Sequence, residues 1–134
     1  MDADIKRPRK GLDNGILVRL EDTSAPAEGV PDAWAGTESL APIGSHNRSP
    51  NSLLHTTIPA GGAITPHTLG NAEAIYFVEK GTGEAEGDSA PEEIRQESFV
   101  FVPKGTSHTI RNTGSVPMEL FVVLTGAGSL AAAV

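Results

Sequence analysis

The 134-residue chain contains no cysteine. That absence removes disulfides, thiolate-held metal centres and cysteine nucleophiles together. Basic residues are also scarce, 10 against 17 acidic ones, for a formal net charge of −7. Such a surface repels phosphate backbones and anionic lipid, and no segment offers a basic helical face, so neither nucleic acid nor a membrane is an expected partner. No apolar run approaches the roughly 20 residues that cross a bilayer. The beginning of the chain also lacks the apolar core of a signal peptide, and the expected location is cytoplasmic. Several motifs are missing as well: no P-loop, no nucleophile-elbow serine and no H-E-x-x-H. Gly81, Gly83 and Gly87 have the spacing of a hairpin turn rather than a dinucleotide loop. Glu84, Glu86, Asp88, Glu92 and Glu93 gather around that turn, where carboxylates are expected to be solvated.

Sustained helical periodicity is lacking too, whereas 15 glycines and 10 prolines punctuate the chain with turns. The pattern predicts an all-β fold, with strands over Gly15 to Leu20, Ser52 to Ile58, Ile75 to Glu79, Gly83 to Gly87, Glu93 to Gln96, Phe99 to Val102, His108 to Asn112 and Met118 to Thr125. Eight short strands with tight turns suit a double-sheet jelly roll. The length allows a single domain. Residues 1–50 are expected to form an irregular segment with one strand that packs on the barrel, 51–126 the barrel itself and 127–134 a tail. The basic cluster Lys6, Arg7, Arg9 and Lys10 reads as a solvated terminus. Trp34, the only tryptophan, is expected to anchor the irregular segment to the core, with a barrel-end or intersubunit contact as the alternatives.

Chemistry concentrates in two segments. In the second, Phe99-Val100-Phe101-Val102 reads as a buried strand that leads through the Pro103–Gly105 turn into a hairpin, with His108 on the return arm. From there His108, Ile110 and Asn112 share one side, so the imidazole is expected to face inward with an apolar neighbour. In the first segment, Gly61 and His67 precede the strand that ends at Gly81. Together these segments resemble the paired motifs of the cupin superfamily, G-x5-H-x-H-x3,4-E-x6-G followed by G-x5-P-x-G-x2-H-x3-N. Gly61, His67, Gly81, Pro103, Gly105, His108 and Asn112 fall in place. The likeness covers about Ser52 to Leu124 and implies a double-stranded β-helix, or cupin-like jelly-roll barrel.

The usual pattern would supply three histidines and a glutamate around one divalent metal. Here Leu69 stands at the second histidine, and the glutamate position falls on Ala74 by one spacing and Glu73 by the other. Only one of these faces the barrel, because strand residues alternate sides. Spacing favours Ala74. The candidate metal set is therefore His67 and His108 with help from Glu73 or His55, holding one zinc, iron, manganese or nickel ion. On Ser52 to Ile58, His55 shares a face with Leu53 and Thr57, and either face could be the lumen. His46 reads as a solvated loop histidine. Candidate pocket walls are Tyr76, Phe101 and Trp34, and His67 and His108 are the candidate catalytic groups.

The resemblance implies an enzyme acting on a small carbonyl- or oxygen-rich metabolite. The reduced ligand set favours non-redox proton transfer, as in an isomerase, cyclase or dehydratase, over a metal-dependent dioxygenase; a non-catalytic binding barrel is the remaining alternative. A homodimer is expected, since a small barrel leaves an apolar outer face and sheet edges to cover.

Overall fold

The computed structural model describes residues 18–23, 27, 34–44, 49–68 and 71–126, with the side chains of 66–68 left aside. The basic cluster at Lys6 to Lys10, His46, Leu69 and the tail 127–134 lie outside the described residues. Nine strands run in order: β1 (Glu38–Ile43), β2 (Ser52–Ile58), β3 (Ala63–Thr68), β4 (Glu73–Lys80), β5 (Gly83–Glu86), β6 (Glu92–Ile94), β7 (Phe99–Val102), β8 (Ser107–Asn112) and β9 (Met118–Thr125). They form a five-stranded sheet, β1-β2-β9-β4-β7, and a four-stranded sheet, β3-β8-β5-β6. Every pairing is antiparallel, and the chain crosses repeatedly between sheets, giving the expected all-β jelly roll. No α-helix occurs among the described residues, and no helix is long and apolar enough to cross a membrane.

Strands read from alternating apolar residues fall where they were expected; β2, β7 and β9 match residue for residue. Two strands, β1 and β3, escape that reading, and both contain proline. Pro42 and Pro66 each sit where the register shifts, between Leu40 and Ile43 and between Ile64 and His67. Both strands lie at sheet edges, where a missing N–H and a bulge are tolerated. The expected strand over Gly15 to Leu20 is corrected in its described part: Val18 and Arg19 are not strand, and Leu20–Asp22 is a 3-10 turn closed by Thr23 N–H donating to the Leu20 carbonyl at 2.9 Å.

Period-two burial sets the core. Leu54, Thr56 and Ile58 of β2, Ala74, Tyr76 and Val78 of β4, and Met118, Leu120, Val122 and Leu124 of β9 are all fully buried. Ile64 and Ile110 meet them from the smaller sheet. Each large aliphatic side chain buried in this way contributes about 1.5–3 kcal/mol relative to exposure. Polar groups on inward faces pair with each other: Ser39 Oγ lies 2.8 Å from Thr56 Oγ1.

The reading of Phe99 to Val102 as a buried hairpin arm is corrected. This strand is the edge of the larger sheet and pairs with β4, whereas β8 belongs to the smaller sheet, so the Pro103 turn carries the chain from one sheet to the other. Val102 faces in, while Phe99 and Phe101 are 70% and 58% exposed on the outer face. Phe101 is therefore not a pocket wall. Glu84 and Glu86 are likewise more than solvated, since Arg111 donates to both, at 3.4 and 2.9 Å.

Candidate functional site

The turn before β8 closes with Thr106 N–H donating to the Pro103 carbonyl at 3.2 Å, and Gly105 adopts φ +82°, a conformation that side-chain-bearing residues rarely accept. Emerging from it, His108 is 4% exposed and shares its inward face with Ile110 and Asn112, as the alternation requires. Asn112 is structural. Its amide donates to the carbonyls of Ile58 at 2.9 Å and Val116 at 2.8 Å, and its oxygen accepts from Gly114 N–H. These bonds tie β8 to the end of β2 across the two sheets.

From the opposite sheet, β4 points Tyr76 at His108. The phenol oxygen lies 2.8 Å from Nε2, and Nδ1 lies 3.4 Å from the Thr106 carbonyl oxygen. A carbonyl can only accept, so Nδ1 carries the ring proton; Nε2 of the neutral imidazole then accepts from the Tyr76 O–H. Trp34 packs beside Tyr76 with ring centroids 6.4 Å apart and is 1% exposed. It is thus an anchor in the protein's own core. Its indole N–H is buried without a hydrogen-bond partner among the described residues. An orphaned donor of this kind costs about 1–3 kcal/mol and is an unmet demand for an acceptor.

Burial pushes the Tyr76 phenol far above its ordinary pKa of 10.0. A folded-state pKa raised in this way contributes stability below pH 10.0 that is lost as pH rises beyond it. There the unfolded chain ionises its tyrosine and the folded chain does not, a slope of about 1.4 kcal/mol per pH unit. Tyr76 is the only tyrosine. Absorbance titration should therefore show no phenolate in the folded chain at about pH 11, and phenolate should emerge only together with the fluorescence change of exposed Trp34. Reversible ionisation near the ordinary value in the folded chain would show that Tyr76 is not sealed from water.

Of the remaining sequence candidates, Glu73 and His55 do not converge on His108. His67 is the register partner of His108 across β3 and β8, and its side chain lies outside the described part. Ala74 is fully buried on the inward face, as spacing favoured, and Glu73 is exposed on the other face. His55 also faces outward, because Leu54 and Thr56 take the lumen side of β2. Glu73 and His55 are thus corrected as helpers to His108. The family's barrel metal set fits poorly: Leu69 and Ala74 carry no ligand atom, and the outer Nε2 of His108 is engaged by Tyr76. On the outer face, however, His55 meets Glu79 and Glu119, and one ligand atom from each lies within 4.8 Å of the others, an arrangement that could hold a metal ion. Strand alternation shows that His55, Glu79 and Glu119 point outward, but their adjacency depends on the strand order β2-β9-β4, which local sequence does not reveal.

Residues 54–124 match the family model for the Cupin domain, more than half of the chain. A curated relative, an uncharacterized protein of Methanocaldococcus jannaschii, is 29% identical over 69 residues, covering 52% of this chain and 55% of that protein. The chain thus aligns with little more than half the length of this relative. Among solved structures, a predicted oxalate decarboxylase from Thermotoga maritima superposes with a TM-score of 0.70 at 19% identity, covering 83% of this chain and 99% of that one. A sugar phosphate isomerase of the cupin superfamily from Silicibacter pomeroyi gives 0.67 at 18% identity, covering 81% and 74%. At these identities the likeness speaks for the fold alone. Since the family model runs from β2 through β9 of a two-sheet jelly roll, the chain belongs to the cupin family.

Proposed function

We propose that the protein is a non-redox proton-transfer enzyme, of isomerase, cyclase or dehydratase type, acting on a small carbonyl- or oxygen-rich metabolite inside the barrel. The observation that carries this reading is the buried Tyr76–His108 pair, with the Trp34 ring packed against Tyr76 and its N–H without a partner among the described residues. In the resting protein the Tyr76 O–H occupies the basic nitrogen of His108. A substrate carbonyl oxygen entering between the two sheets takes the hydrogen bonds of Tyr76 O–H and Trp34 N–H, which frees Nε2. His108 then removes the proton from the adjacent carbon. The C–H electron pair becomes the C=C bond of an enolate, whose oxygen is stabilised by the two donors, while the imidazolium keeps its Nδ1–H on the Thr106 carbonyl. Returning the proton at a neighbouring atom completes an isomerisation. His67, opposite His108 in register, is assigned the second proton-transfer role.

The test is solvent-deuterium incorporation, followed by NMR, into a panel of keto acids, ketoses and aldoses incubated with the protein. Exchange at a carbon next to a carbonyl is expected for at least one member. Tight binding without exchange would support a non-catalytic binding barrel instead.

We further propose a homodimer. Two rows of outward side chains cross all five strands of the larger sheet: Ile43, Leu53, Val123, Ile75 and Phe101, then Leu40, His55, Phe121, Phe77 and Phe99. All but His55 are apolar, and a continuous apolar face of this kind favours covering by a second copy, with His55, Glu79 and Glu119 at its polar margin. Light scattering coupled to size exclusion should return twice the 13.9 kDa chain mass. A monomer at tens of micromolar would contradict the proposal.

A further inference from the structure

We propose that His55, Glu79 and Glu119 bind one divalent transition metal of the zinc class on the outer face of the five-stranded sheet, on the opposite side of that sheet from the barrel interior. The three residues come from β2, β4 and β9, which lie side by side in the order β2-β9-β4. A bulge after Val78 brings Lys80 to the side on which alternation already places Glu79. Val78 pairs with Leu120 and Lys80 with Glu119, so Glu79 is an extra residue with no opposite number, and both it and Lys80 stand on the outer side. Bulges commonly re-aim a side chain in this way.

His55 Nε2 is within hydrogen-bonding distance of Glu79, and the distances also suit a shared ion. His55 Nε2 lies 3.2 Å from Glu79 Oε1 and 3.4 Å from Glu119 Oε1. Tetrahedral zinc with bonds of about 2.0–2.2 Å holds neighbouring donor atoms about 3.3–3.6 Å apart. A single Nε2–H, moreover, has one direction and cannot align with both carboxylates. The site is also pre-organised. The His55 side chain is 11% exposed and its ring stands edge-on to Phe121 at 5.0 Å, while the Glu79 and Glu119 side chains, 43% and 30% exposed, leave the ion a route from solvent. Lys80 Nζ engages the second oxygen of Glu119 at 3.8 Å, which leaves Oε1 for the ion.

Donor chemistry sets the class of ion. One imidazole and two carboxylates suit zinc, cobalt, nickel or manganese, whereas calcium and magnesium prefer oxygen alone. Water completes the coordination. An ion held here joins three adjacent strands, and since the ligand triad exists only in the folded sheet, binding stabilises the fold by mass action.

The experiment uses the full chain, freed of any affinity tag, stripped with chelator and titrated with zinc chloride by calorimetry and thermal melting. One equivalent of zinc should bind, and at zinc a hundred times Kd the Tm should rise by roughly 10 °C. Cobalt should give the visible absorption of a tetrahedral site. His55→Ala should abolish binding, and Glu79→Gln or Glu119→Gln, at partly exposed positions that tolerate the change, should each weaken it at least tenfold. His108→Ala should leave zinc affinity unchanged. The proposal is overturned if the stripped chain takes up no zinc, if the three outer-face variants bind as tightly as the parent, or if His108→Ala alone removes binding, which would place the ion in the barrel.

Discussion

Gly83→Ala should destabilise the fold by about 3 kcal/mol or more, a large part of the 5–15 kcal/mol that holds a typical domain together. A methyl group at Gly83 would overlap the carbonyl oxygen of Arg111 and the terminal methyl of Met118. The methionine side chain can move. The Arg111 carbonyl cannot, because it belongs to β8, whose next residue, Asn112, is the register partner of Gly83. Relief would require β5 and β8 to part, and that would strain the Asn112 bonds to Ile58, Val116 and Gly114. Denaturant titration should show the loss as a lower midpoint with an unchanged slope. A variant within about 0.5 kcal/mol of the parent would mean that the two strands separate far more easily than this packing implies.

The second large effect concerns activity. With a substrate identified by deuterium exchange, His108→Ala should lower turnover by about 10²–10⁴-fold, the range for loss of a general acid–base group. Tyr76→Phe removes a single hydroxyl and should cost at least about tenfold, because the enolate oxygen keeps Trp34 but loses its other donor. Since these groups act on one proton and one oxygen, the double variant should be little worse than His108→Ala alone. Neither substitution is free of structural cost: His108→Ala leaves the buried Tyr76 hydroxyl unpaired, worth about 1–3 kcal/mol. The assay therefore belongs well below each variant's Tm. Full activity in a folded His108→Ala protein, with KM unchanged, would remove His108 from the mechanism.

The contrast between His108 and His55 shows how far local pattern carries. At His108 the turn residues Pro103 and Gly105 set where the strand begins, and alternation with Ile110 assigns the inward side without knowledge of any neighbour. At His55 the same alternation yields two equivalent faces, because Leu53 and Leu54 are both apolar. Only packing of β2 beside β9, with Leu54 opposite Val122 and both buried, decides which side is lumen. Phe99 and Phe101 show the reverse failure. Four apolar residues in a row read as a buried strand, yet β7 is an edge strand and half of its side chains stand outside. Proline hid β1 and β3, since a residue without an N–H is a poor sign of a strand unless that strand is known to be an edge with a bulge.

The sequence by itself determined the all-β class, most strand positions, the paired motif segments and the inward side of His108, because each depends on contacts within a few residues along the chain. Tertiary structure alone decided that Tyr76 meets the imidazole at 2.8 Å and that His55 joins Glu79 and Glu119 on the outside, and it puts Ala74, the residue spacing favoured, on the inward face with His108. Those outcomes depend on which strands become neighbours. Strand order is set by the burial of the whole core at once, and no local window of the chain contains it.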